Sequence, residues 1–115
     1  MDNYLTEQSM QIILKAGDAR SECMRALDAV EGGDFETADH CLEHANKFIT
    51  EAHCIHTSIL QQSVLVDRKW EYSVLFSHAQ DTLMTIYSEL NLAKKICKIF
   101  NTYEKRLKHL EREEI

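Results

Sequence analysis

The sequence predicts an all-α protein: an antiparallel up-down-up bundle of three long helices. Two observations carry this. The 115 residues include no proline and only three glycines, and the apolar positions recur in steps of three and four. Turn-rich sandwiches, collagen-like repeats and Pro-rich linkers all need those missing residues as punctuation, so they are excluded. The length suits one domain over residues 1–115, and 44% of it is hydrophobic. A chain of this size buries roughly two-thirds of its unfolded surface, so neither a disulfide nor a structural metal is needed for stability.

The first helix follows from Leu5, Ile12, Ala16, Ala19, Cys23, Ala26 and Val30, an amphipathic stripe at helical spacing. It should stop at Glu31-Gly32-Gly33-Asp34, where glycine supplies a left-handed residue and Asp34 caps the next helix. So short a turn makes the two helices antiparallel. The second helix carries Phe35, Ala38, Leu42, Ala45, Ile49, Ala52, His56 and Ile59 and should reach about Leu65. Residues 66–72 break the period and carry three adjacent charges, so they read as a connection, with Ser73 as cap of the third helix. That helix shows Phe76, Ala79, Leu83, Ile86, Leu90, Ala93, Cys97, Phe100 and Leu107, and the charged segment from Glu104 to Ile115 should continue it as a fraying end. Heptad-like seams predict left-handed crossings.

The net charge is −6, which argues against nucleic-acid binding through the overall field. Residues 1–66 hold 4 basic and 11 acidic side chains, whereas residues 94–115 hold 7 basic and 4 acidic. Such a basic end reads first as a solvated helix face and second as a surface for an acidic partner. Cys23, Cys41, Cys54 and Cys97 have no CxxC spacing. No signal peptide or membrane span is legible, so the chain reads as cytoplasmic, not membrane-inserted, with reduced thiols.

A polar stripe flanks the core seam of the third helix. Around the helix, His78, Asp81, Thr82 and Thr85 centre about 120° from Ala79, Leu83, Ile86 and Leu90. His78 and Asp81 are one turn apart, so an imidazole and a carboxylate stand side by side. Spacing alone does not separate such a pair from a solvated one. Two further patterns, His40-Cys41-x-x-His44 and His53-Cys54-x-His56, have spacings that zinc uses. Cys41 and His56 fall on or beside the core seam, however, and the clusters do not obviously converge.

In chain order the motifs are Ala16-Gly17-Asp18-Ala19-Arg20-Ser21, Gly33-Asp34-Phe35 with Ala38-Asp39, Glu51-Ala52-His53 with Thr57, Tyr72-Ser73-Val74, and His78-Ala79-Gln80-Asp81-Thr82-Leu83-Met84-Thr85. This series resembles the IIA component of the lactose/cellobiose (diacetylchitobiose) class of the bacterial sugar phosphotransferase system, from about residue 10 to residue 100. The resemblance implies a cytoplasmic homotrimer that carries a phosphoryl group on His78, as a tele-phosphohistidine. It would accept the group from phospho-HPr and pass it to the cysteine of a IIB subunit, and through it serve the membrane IIC. The resemblance places Asp81 of each subunit at the trimer axis around a divalent cation, Mg2+, and makes Gln80 a supporting neighbour of the active histidine.

The chemistry of the stripe agrees. A neutral imidazole offers a lone pair near pH 7 and forms a labile phosphoramidate, and transfer needs in-line positioning more than a deep pocket. Two residues depart from the family pattern: Thr82 stands where many members have a second histidine, and His56 where many have glutamine. His56 would supply the missing imidazole only if the second helix faced the stripe; otherwise it is a core residue with satisfied nitrogens. The alternative to a carrier is a noncatalytic or regulatory helical module that keeps the family fold. Which disaccharide is served is not legible.

Overall fold

The computed structural model describes residues 3–65 and 73–113; the connection expected at residues 66–72 lies outside the described residues. The described residues form three helices, α1 (Asn3–Glu31), α2 (Phe35–Leu65) and α3 (Val74–Glu113), within one or two residues of the boundaries the apolar periodicity sets. No strand occurs among the described residues, and none of the described helices is long and apolar enough to cross a membrane.

Local chemistry ends and restarts the helices where expected. Gly33 has φ +79°, a conformation that costs a side chain little only when there is none. It lets Asp34 N–H reach Ala29 O at 2.8 Å and Gly33 N–H reach Val30 O at 2.9 Å, the paired bonds of a Schellman ending. Asp34 then caps α2: its Oδ1 accepts the Thr37 N–H at 3.1 Å and its Oδ2 accepts the Thr37 hydroxyl at 2.6 Å. Those two bonds to the charged form hold the Asp34 carboxyl below its usual range. Ser73 does the same for α3, its Oγ accepting the Phe76 N–H at 3.1 Å.

The core is a seam of small and branched residues. Ile12, Ala16 and Ala19 of α1 meet Ala45, Ile49, Ala52 and Ile59 of α2 and Ala79, Leu83, Ile86 and Leu90 of α3. A smaller cluster of Ala26, Ala38, Cys41 and Cys97 closes the end near the tight turn. Alanine at so many buried positions lets the helices approach closely, most extensively α1 with α2 and least α2 with α3. Polar pairs bridge the helices at the surface: Lys15 Nζ to Glu51 Oε2 at 2.9 Å and Gln62 Nε2 to the Tyr4 hydroxyl at 2.8 Å join α1 to α2. Arg20 makes a two-pronged bond to Glu89, at 2.8 and 3.0 Å, joining α1 to α3.

Candidate functional site

The rotational setting of α3 decides what each residue of the HAQD segment faces. Ala79, Leu83 and Ile86 are fully buried, and with them fixed inward, His78 and Asp81 are exposed while Thr82 is half-buried. The polar stripe is therefore real, and it lies on the flank of α3 that also carries Glu89 toward Arg20 of α1. A side chain in that position is open to a partner protein without any movement of the bundle.

Gln80 lies elsewhere. Two positions on a helix are 200° apart, so Gln80 turns away from His78 toward α2. There His56 Nε2 and Gln80 Oε1 are 2.9 Å apart; because an amide oxygen only accepts, Nε2 is the protonated nitrogen of that ring. His56 is 8% exposed and stacks on Phe76, with ring centroids 5.7 Å apart and planes 7° apart. His53 meets Tyr87 edge-on at 5.2 Å. Both histidines thus face the α2 side of α3, and the second helix does not bring His56 to the stripe. The sequence marked His56 and Gln80 separately; their pairing was missed, and its signal was that position 80 follows a core residue directly, as position 56 sits on the seam of α2.

The other histidine and cysteine positions fall apart along the bundle. Cys41 is buried beside Cys97, with its thiol pushed up by burial and by the nearby Glu22 carboxylate. His44 Nδ1 approaches Glu22 Oε2 only to 3.7 Å, while Arg25 Nη1 holds Glu22 Oε1 at 2.8 Å. Among the described residues, no three His, Cys, Asp or Glu side chains come together as a metal site. Within one chain, Asp81 contributes a single exposed carboxylate.

A model of the family "PTS system, Lactose/Cellobiose specific IIA subunit" matches residues 7–101. The chain belongs to this family. The lactose-specific EIIA component of Staphylococcus aureus is 40% identical over 90 residues, covering 78% of this chain and 86% of that protein. The corresponding Lacticaseibacillus casei component is 36% identical over 100 residues, 87% and 85% of the two chains. Among solved structures, the cellobiose-specific enzyme IIA from Bacillus anthracis superposes with a TM-score of 0.84 at 33% identity, over 91% of this chain and 95% of that one. A chain of the IIA(Chitobiose)–HPr complex of the Escherichia coli N,N'-diacetylchitobiose branch does so with a TM-score of 0.69 at 27% identity, over 90% and 99%. As a IIA subunit, the chain is a component of a sugar phosphotransferase system, and the matched span contains both helical flanks of the HAQD segment.

Proposed function

We propose that this IIA subunit is a phosphoryl carrier, with His78 as the residue that receives the group from phospho-HPr and yields it to the cysteine of a IIB subunit. The observation that supports it most is the setting of His78: an exposed imidazole on a rigid, fully helical segment, flanked by the core but not part of it. Such a placement gives the nucleophile a fixed direction, and in-line transfer between two proteins depends on that more than on a pocket. Nε2 of the neutral ring forms the bond to phosphorus as the bond to the donor breaks. When the IIB sulfur attacks in turn, the imidazole leaves as it came. The partnership with HPr is supported by the solved IIA(Chitobiose)–HPr complex, whose IIA chain has this fold. The reading places the protein in the cytoplasm, where IIB and the membrane IIC complete the route for a disaccharide.

The same reading makes the working unit a homotrimer. Asp81 is exposed on the outer face of α3, and Leu92, Ile96 and Ile99 farther along that face are exposed as well. Such apolar exposure in a soluble domain marks an association surface. Three copies related by a threefold axis would bring three Asp81 carboxylates together, an oxygen donor set suited to a hard divalent cation such as Mg2+. The ion would supply charge neutralisation among the carboxylates, so its role is in assembly.

The deciding experiment is labelling by phospho-HPr. The wild type should take up one phosphoryl group per chain, lost in acid and retained in alkali, as an N-phosphohistidine behaves. His78→Ala should take up none while keeping its helical content. Undiminished labelling of that variant, an acid-stable phosphate, or an unlabelled wild type would overturn the reading, the last in favour of a noncatalytic module.

A further inference from the structure

A row of cations runs along the second half of α3. At about 100° per residue, Lys94, Lys98, Lys105, Lys108 and Arg112 fall within an arc of about 80°, and all five are exposed. Glu104, Glu111 and Glu113 lie outside that arc, so it carries one sign of charge. The row is about 27 Å long, and successive cations are about 5–10 Å apart along the axis. That is close to one screening length at physiological salt, so they act together as a positive strip.

The chain does little to offset this charge. Lys94 Nζ donates to the neutral Asn46 Oδ1 at 2.9 Å, and Lys108 approaches Glu104 only to 3.7 Å. Lys94, Lys98, Lys105 and Arg112 form no ion pair among the described residues. The body of the molecule is of the opposite sign: residues 1–93 hold 6 of the 13 basic and 15 of the 19 acidic side chains.

The surroundings of the strip define what can lie on it. Arg20 of α1 is level with Glu89 of the parallel α3, so Glu31, the last residue of α1, is level with Phe100, and α3 continues alone to Glu113. Lys105, Lys108 and Arg112 stand on this free part, beyond residue 101, where the family match stops. The exposed Leu92, Ile96, Ile99, Tyr103 and Leu107 centre about 180° from the cations, so the trimeric reading leaves the strip facing outward. Upstream, α2 borders it. Asn46 touches Lys94, Glu43 lies one turn before Asn46, and the Asp39 carboxylate is near enough to Cys97 to help push its thiol up. A flat anionic bilayer laid along the strip would meet those carboxylates as well, whereas a rod one helix wide would meet the cations alone.

We infer that the strip is a docking surface for an acidic helical segment of a second protein, whose carboxylates, three or four residues apart, lie along the row from Lys94 to Arg112. Complementary rows of this kind relieve the repulsion among the cations, speed encounter and fix orientation. The surface needs neither His78 nor the trimer.

The probe is an alanine-based helical peptide of about 20 residues, as long as the row, with glutamate at every third or fourth position along one face. Its binding to the full chain is read by fluorescence anisotropy. It should bind at low salt and be released as salt is raised. Lys105→Gln/Arg112→Gln should weaken binding about tenfold or more. Lys95→Gln/Arg106→Gln, which removes the same charge outside the arc, should change it less than about twofold. Glutamine is a good helix former, so circular dichroism should match the wild type in both. Equal weakening by the two pairs would assign the effect to the charge of the whole end and overturn the inference, as would a peptide that does not bind at low salt. Tighter binding of phosphatidylglycerol vesicles or of single-stranded RNA than of the peptide would assign the strip to a lipid or nucleic-acid surface and overturn it too.

Discussion

His56 Nε2 lies 2.9 Å from Gln80 Oε1, a bond that ties the middle of α2 to the segment of α3 carrying His78, on the flank opposite His78. It couples a buried imidazole to the backbone setting of the site, since Gln80 cannot shift without leaving a buried ring nitrogen unpaired. Phe76, stacked on the same ring, closes the unit from the first turn of α3.

Removal of this unit should register in stability first. His56→Ala leaves a cavity against Phe76 and an unpartnered amide, and should cost about 2–4 kcal/mol in urea unfolding. His56→Gln keeps a donor for Gln80 but loses the stacked ring, and should cost about 1 kcal/mol. In both, labelling of the folded protein by phospho-HPr should proceed at nearly the wild-type rate, because His56 does not reach the stripe. A His56→Gln chain with unchanged stability and slow labelling would show instead that the imidazole acts in transfer.

The three helices, their ends and their caps were legible in the sequence because each rests on local chemistry: a period of apolar residues, a positive-φ glycine at Gly33, an oxygen on Asp34 or Ser73. The stripe at His78 and Asp81 was legible for the same reason, as rotation about one helix is fixed by its own core positions. The His56–Gln80 and Arg20–Glu89 pairs were not, since they depend on the register between helices. That register is set by small buried residues whose packing has no signature in the linear pattern. The zinc-like spacings show the same limit from the other side: adjacent turns of α2 carry Cys41 inward, on the seam where the pattern puts it, and His44 outward, so proximity in sequence brings no convergence.

Thiol reactivity should separate the four cysteines. Burial pushes the Cys23, Cys41 and Cys97 thiols up, while Cys54 is exposed. The thiolate is the reactive form, so an aromatic disulfide reagent at pH 8 should titrate one thiol quickly in the native protein and four in denaturant. Two or more fast thiols in the native state would show that the core opens readily, at α1 for Cys23 or at the small cluster by the turn for Cys41 and Cys97.

A buried hydroxyl offers a stabilising change. Ser9 is fully buried on α1, and its Oγ finds no hydrogen-bond partner among the described residues. Such an atom has a desolvation cost without a return, and alanine is also the better helix former. Ser9→Ala should raise stability by about 0.5–1 kcal/mol in urea unfolding, and a loss of that size would mean that the hydroxyl is satisfied in solution.

The α2 cap should give acid sensitivity of defined sign. The bonds from Thr37 lower the folded-state pKa of Asp34, so its contribution is present above the ordinary aspartate range and is lost as pH falls through the lowered value. Asp34→Ala should lower stability at pH 7, and the gap to wild type should narrow as the pH is taken down toward 2. A gap that holds constant over that range would assign the loss to the turn backbone and not to the charged cap.

Asp81 governs the last outcome. Three carboxylates at a common axis repel one another unless a cation joins them, so on the trimeric reading chelation should shift wild-type protein toward monomer and Mg2+ should restore it. Asp81→Leu removes the repulsion and adds an apolar side chain in line with Leu92 and Ile99, so its trimer should persist in chelator and bind no stoichiometric metal. His78 stands one turn away on a helix that the core holds rigid, so phospho-HPr should still label the variant at His78. Should Asp81→Leu instead be monomeric in light scattering at concentrations where the wild type is trimeric, the carboxylate would be making a favourable contact of its own, and the axial cation site would have to be abandoned.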